Sequence, residues 1–178
     1  MMRVFDEVGN LAQECPYREG ALHGVLKVYV NGRCVSEQTY VRGVLAGPAS
    51  TFEESGLVCA RLTYADGQLD GLAQFFHQGA EVRRANYRVG LLDGACHDFD
   101  LAGALVQSST FQRNLLHGAL VRYWPNGHVM EEQLFNQGKP VSPARRFDDR
   151  GRPVEASAEA SEVPLQWSQR LRHLVRGE

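Results

Sequence analysis

The chain has 178 residues, 43% apolar and 22% charged, which is the make-up of one ordinary domain with room for a small appendage. Nineteen basic against twenty-one acidic side chains leave a formal net charge of −2, which argues against a nucleic-acid groove or an anionic lipid surface as partner. No run approaches the ~20 apolar residues that span a bilayer, and the opening "MMRVFDEVGNLAQE" lacks a secretory apolar core, so a cytosolic protein without membrane insertion is expected.

In chain order, "FDEVG" (Phe5, Gly9) reads as the tail of a truncated first unit. A repeat then begins at Tyr17, and its first aromatic returns at Tyr40, Tyr64, Tyr87, Phe111 and Phe135, at steps of 23, 24, 23, 24 and 24. Three residues later come Gly20, Gly43, Gly67, Gly90, Asn114 and Gly138. A leucine column follows (Leu22, Leu45, Leu69, Leu92, Leu116, then Pro140), and after it Gly24, Gly47, Gly71, Gly94, Gly118 and Ser142. A second aromatic column holds Tyr29, Phe52, Phe76, Phe99, Tyr123 and Phe147, and a third glycine lies three or four residues beyond each ring. Of the 18 glycines only Gly177 falls outside this scheme, and of the Tyr and Phe residues only Phe75, so both residue types serve a repeating backbone shape.

Between the glycines lie short runs of period-two character, such as "VLKVY" after Gly24 and "CVSEQTY" after Gly32, which read as strands. "NG" at Asn31 and "PNG" ending at Gly127 predict hairpin turns, and "LHG" and "LDG" mark the opposite turn, with His23 and His117 as turn residues. Each unit is then one hairpin, too small to be stable alone, and stacking supplies the missing burial. The expected fold is all-β: an elongated antiparallel meander of stacked hairpins over residues 1–154. Departures such as Asn114, Pro140 and Ser142 read as decay toward a capping repeat. Residues 155–178 begin with a small, acidic linker, "EASAEASE". A short amphipathic helix is expected after it, with Ser161 as N-cap and Trp167, Leu171, Leu174 and Val175 on one stripe.

No catalytic constellation emerges from these residues. Cys15, Cys34, Cys59 and Cys96 have neither CxxC nor zinc-ligand spacing and read as reduced, small apolar side chains. His97 with Asp98 and Asp100 is the densest polar cluster, but there is no nucleophile elbow, HExxH or phosphate-cradling loop. No catalytic residue, metal site or cofactor is expected.

The motif YxxGxLxGxxxxYxxNG, as in "YREGALHGVLKVYVNG", resembles the MORN-repeat variant of bacterial antitoxins and immunity proteins. The resemblance covers about residues 5 to 154, most closely in that unit and in "YADGQLDGLAQFFHQG". It implies a non-catalytic repeat protein that neutralises a cognate toxin or effector by direct binding; the alternative is a structural adaptor or membrane-associated scaffold. Family members share no active site.

For the partner surface, the period-two count places Glu37, Arg61, Arg84, Ser108 and Glu132 on one side of successive strands, together with Thr39, Thr63, Asn86 and Thr110. This makes a ladder with a basic middle and acidic ends. Trp124, in "YWPNG", is a separate candidate anchor. Asp98 and Asp100, with Glu53, Glu54, Asp148 and Asp149, are the acidic candidates should the partner present the basic groove of a nuclease.

Overall fold

The computed structural model describes residues 1–154; the expected linker and Trp167 helix lie outside the described residues. The strands are β1 Met2–Phe5, β2 Leu11–Cys15, β3 Tyr17–Arg18, β4 Ala21–Leu22, β5 Gly24–Val30 and β6 Arg33–Val41. They continue with β7 Val44–Phe52, β8 Val58–Ala65, β9 Gln68–Leu69, β10 Gly71–His77, β11 Ala80–Arg88 and β12 Leu91–Phe99. The last are β13 Leu105–Gln112, β14 Leu115–Tyr123, β15 Val129–Asn136, β16 Lys139–Pro140, β17 Arg145–Phe147 and β18 Pro153–Val154. All but β3 and β4, which pair with each other, join one 16-stranded antiparallel meander without crossovers. Extensive contacts form only between strands that are hydrogen-bonded neighbours, so among the described residues the sheet is a single layer.

Loop length sets the repeat length. Where the third glycine follows its aromatic by three residues, a two-residue turn results, as at Asn31–Gly32, where both residues have positive φ. Where the spacing is four, a longer turn closes on the first residue's carbonyl, as in Gly103 N–H to Asp100 O at 3.0 Å. The units of 23 residues are those with the short turn, and the units of 24 those with the long one.

The opposite turns lie elsewhere than expected. They are Arg42–Gly43, Asp66–Gly67, Val89–Gly90, Arg113–Asn114 and Gln137–Gly138. The "LHG" and "LDG" segments instead form bulges inside or beside the next strand: Gln38 pairs with Ala49 and Tyr40 with Leu45, so three residues of β7 face one of β6. His23 and His117 therefore sit in a bulge column. Side chains of that column reach the following turn: Asp70 Oδ2 accepts the Val89 N–H at 3.1 Å, and His23 Nδ1 accepts that of Arg42 at 3.4 Å.

A second set of bonds ties the turns together along this edge. Each turn's second residue donates its N–H to the leucine carbonyl one unit back, as in Gly43 to Leu22, Gly67 to Leu45, Gly90 to Leu69 and Asn114 to Leu92, at 2.7 to 2.9 Å. Asn114 also accepts the Leu92 N–H through Oδ1 at 2.7 Å. Far from being decayed, this position closes a reciprocal pair that glycine cannot make. Ser142 keeps a structural role too, since its hydroxyl accepts the Leu134 N–H.

The two faces differ. On one, Ala49, Ala60, Ala73, Ala85, Cys96 and Ser109 are buried, with no second layer above them among the described residues. Larger neighbours on the same face enclose these small side chains, and the bulges between paired strands add local bend and twist. This is the inner face. The four cysteines are free, Cys15 and Cys96 buried in it as small apolar side chains, and burial raises the Cys96 thiol above its ordinary pKa.

Candidate recognition surface

Direct cross-strand pairs share a face, so the register defines rows of side chains running across the strands. On the outer face one row runs Lys27, Glu37, Ser50, Arg61, Gln74, Arg84. It continues through His97, Ser108, Val121 and Glu132 to Arg145. Glu37, Arg61, Arg84, Ser108 and Glu132 thus stand together in one row, as the period-two count expects. Their charges are largely answered within it: Lys27 Nζ lies 3.1 Å from Glu37, and Arg145 lies 2.8 Å from Glu132.

The second aromatic column flanks this row. Arg61 lies over the Phe76 ring at 5.2 Å, Arg84 over Phe99 at 5.7 Å and Arg145 over Phe147 at 5.5 Å, and Ser108 meets the Tyr123 hydroxyl at 3.2 Å. Arg84 also forks onto Glu81, at 3.0 and 2.6 Å. Arg61 makes no ion pair among the described residues, so the middle of the row keeps a basic bias. Beside it, His97 Nδ1 is covered and has no hydrogen-bond partner among the described residues.

Thr39, Thr63 and Asn86 belong to the bulges. Their side chains donate across the strand to the carbonyls of Pro48, Leu72 and Ala95 at 2.7, 3.1 and 3.0 Å. Trp124 is half-buried and donates its indole N–H to Phe147 O at 3.0 Å, tying its turn to the next one. That bond holds the ring against its own sheet.

The cluster of His97, Asp98 and Asp100 does not assemble. His97 points outward, while Asp100 closes a turn, its Oδ1 accepting the Ala102 and Ala104 N–H groups. Asp148 does the same for Arg150 and Arg152. Asp98 is on the inner face, 1% exposed, so a partner on the outer face does not meet its carboxylate. No group of three or more His, Cys, Asp or Glu placed to hold a metal occurs among the described residues.

Sequence reasoning missed what surrounds Asp98. Arg83 Nε donates to its Oδ1 at 2.6 Å, and Gln107 Nε2 to its Oδ2 at 3.3 Å. Arg122 then donates through Nε to Gln107 Oε1 at 3.3 Å and through Nη1 to Glu131 Oε1 at 3.0 Å, and Arg146 Nε donates to Glu131 Oε2 at 2.9 Å. One continuous polar ladder therefore crosses β11, β12, β13, β14, β15 and β17. The signal was present as a charged or amide side chain near the centre of each of these strands, but assigning them to one row required the register.

Several of these pairs set the response to acid. The hydrogen bond from Arg84 holds the Glu81 carboxyl below its ordinary 4.5, and the Arg152 N–H holds Asp148 below 3.8. A carboxyl depressed in the folded state contributes stability above its unfolded pKa and loses it as pH falls through the folded value. The urea midpoint is therefore expected to stay flat down to about pH 5 and to fall below that, and Glu81→Gln to remove part of the fall. A midpoint insensitive to acid would show these pairs to be energetically idle.

No family model matches the chain, and no curated protein matches it in sequence. Among solved structures it is similar to a mutant of S. aureus TarM in complex with Fondaparinux, alpha-GlcNAc-glycerol and UDP, at TM-score 0.38 and 11% identity over 53% of this chain and 19% of that one. It is also similar to ASR alternansucrase in complex with isomaltononaose, at TM-score 0.21 and 17% identity over 85% of this chain and 14% of that one. The chain thus spans under a fifth of either protein, and likenesses of this size bear on neither fold family nor function. No helix among the described residues is long and apolar enough to cross a membrane.

Proposed function

We propose that this chain is a non-catalytic, protein-binding repeat protein: a cytosolic immunity protein or antitoxin of the MORN-repeat-variant kind that blocks one cognate toxin or effector by covering it. The observation that carries the reading is the single-layer sheet, over whose outer row no other described element packs and whose side chains there contact neighbouring strands. Such a surface loses little entropy on association, so a standard interface of about 1,600 Å² can reach nanomolar affinity. The resemblance of the repeat columns to antitoxin and immunity proteins supports the choice of partner class.

The test is to express the neighbouring open reading frames singly and with this gene, and to purify complexes with it as bait. Growth arrest relieved by co-expression, with a one-to-one complex, is expected. Charge reversal at Arg61 and Arg84 is expected to weaken that complex about tenfold or more. Absence of a toxic neighbour, with recovery of envelope or cytoskeletal proteins, would favour the structural adaptor or membrane-associated scaffold instead.

A further inference from the structure

The polar ladder on the inner face has a control within the same sheet. Its row runs through the N-terminal half as Val4, Gln13, Val28, Ser36, Thr51, Ala60 and Phe75, each paired with the next and none charged. From Arg83 onward the same row is charged or amide-bearing: Arg83, Asp98, Gln107, Arg122, Glu131 and Arg146. The antiparallel pairing is alike in both halves, so the fold itself does not call for charge here. Burying ion pairs is costly, and apolar replacements are often neutral or stabilising. Charges kept where small and apolar residues suffice point to a task other than holding the sheet together. Phe75, the one Phe or Tyr outside the repeat columns, lies opposite Arg83 and ends the uncharged half.

The ladder carries three guanidinium groups against two carboxylates. Arg83 and Arg146 each use Nε, and Arg122 uses Nε and Nη1, so every one keeps Nη donors that bond no described residue. No other element of the described residues packs over this face. Adjacent strands lie ~4.8 Å apart, which puts Arg83 and Arg122, three strand steps apart, about 14 Å from each other, with Arg146 about 10 Å further. An extended chain advances ~3.4 Å per residue and presents alternate side chains to one side, so carboxylates at positions i and i+4 span the first of these distances.

We propose that this strip docks an extended acidic segment of a partner protein, its carboxylates binding the open Nη groups of Arg83, Arg122 and Arg146. The proposal rests on the reading of the chain as a protein binder, and it assigns a second surface opposite the Arg61 and Arg84 row. The test uses the full chain, isotope-labelled, with the arginine Nε–H signals followed by NMR. The probes are a synthetic Glu-Gly-Thr-Gly-Glu-Gly-Glu peptide, whose third carboxylate lies ~7 Å beyond the second on the same side and within reach of the long Arg146 side chain, its counterpart with Gln for Glu, and inorganic phosphate. The Glu peptide is expected to shift the Arg122 and Arg146 signals saturably, with the Gln peptide and phosphate about tenfold weaker or more. Arg146→Gln is expected to weaken the Glu peptide about tenfold, and Arg113→Gln, in an exposed turn outside both rows, to leave it unchanged. Arg146 is half-exposed and its loss leaves Glu131 paired with Arg122, so that variant keeps the fold. Silence of these signals, equal response to the Gln peptide, or unchanged binding by Arg146→Gln would overturn the proposal. Phosphate matching the peptide would overturn it in favour of a small-anion site. None of these outcomes alters the co-expression result, so the two readings fail separately.

Discussion

Replacing Arg83 with methionine is expected to destabilise the protein by about 3–5 kcal/mol, the usual cost of leaving one member of a buried ion pair alone. Asp98 is 1% exposed, and without the 2.6 Å bond from Arg83 only the Gln107 amide remains, at 3.3 Å. The carboxylate then keeps much of its desolvation cost without its counter-charge. Urea unfolding at neutral pH measures the effect. The double variant Arg83→Met with Asp98→Leu is expected to recover most of the loss, because Val28, Ala60 and Phe75 already fill this row elsewhere. A double variant no more stable than the single one would mean that the two charges are not coupled.

The second large effect is expected at Gly71. Its φ of +116° is a conformation that side-chain-bearing residues rarely adopt, and an added Cβ would lie 3.3 Å from the Thr63 Cβ. Gly71→Val combines about 1–3 kcal/mol of backbone strain with about 1 kcal/mol for the displaced Thr63 to Leu72 hydrogen bond, or about 2–4 kcal/mol in all. Gly90→Asn is the contrasting case. Gly90 stands in the turn column where Asn114 already serves, and its nearest neighbour, Gln68, is 4.0 Å from an added Cβ. Asparagine tolerates the left-handed region, so a change within about 0.5 kcal/mol is expected. Thermal and urea unfolding of both variants would separate the two glycine columns. Equal losses would show that backbone conformation alone, and not the bulge packing, sets the cost.

The two columns also mark how far local reading reaches. Both were visible as glycines at fixed offsets, yet the sequence assigned the Gly71 column to a turn, because a glycine after a polar residue has the same composition in a turn and in a bulge. What separates them is pairing: Gly71 lies opposite Tyr87, within a strand, while Gly90 lies between strands. The outer row illustrates the opposite outcome. Arg61, Arg84 and Glu132 were placed together by alternation alone, since strand geometry forces residues two apart onto one side.

Sequence by itself determined the repeat, the all-β class and the hairpin turns that end at the third glycine, because these depend on local chemistry: positive φ at glycine and asparagine, ring spacing, and a loop one residue longer or shorter. Even the alternation of 23- and 24-residue units follows from turn length. The tertiary structure alone decided which face encloses its small residues and which charges meet there. Alternation separates two faces without saying which is enclosed when both carry polar groups. The partners of the inner ladder lie 9 or 15 residues apart, and each bulge resets the register between them. Asp98 and Asp100 look alike in sequence, yet one is buried against Arg83 and the other closes a turn, because the pairing register sets Asp98 between Arg83 and Gln107 while Asp100 lies past the strand's end.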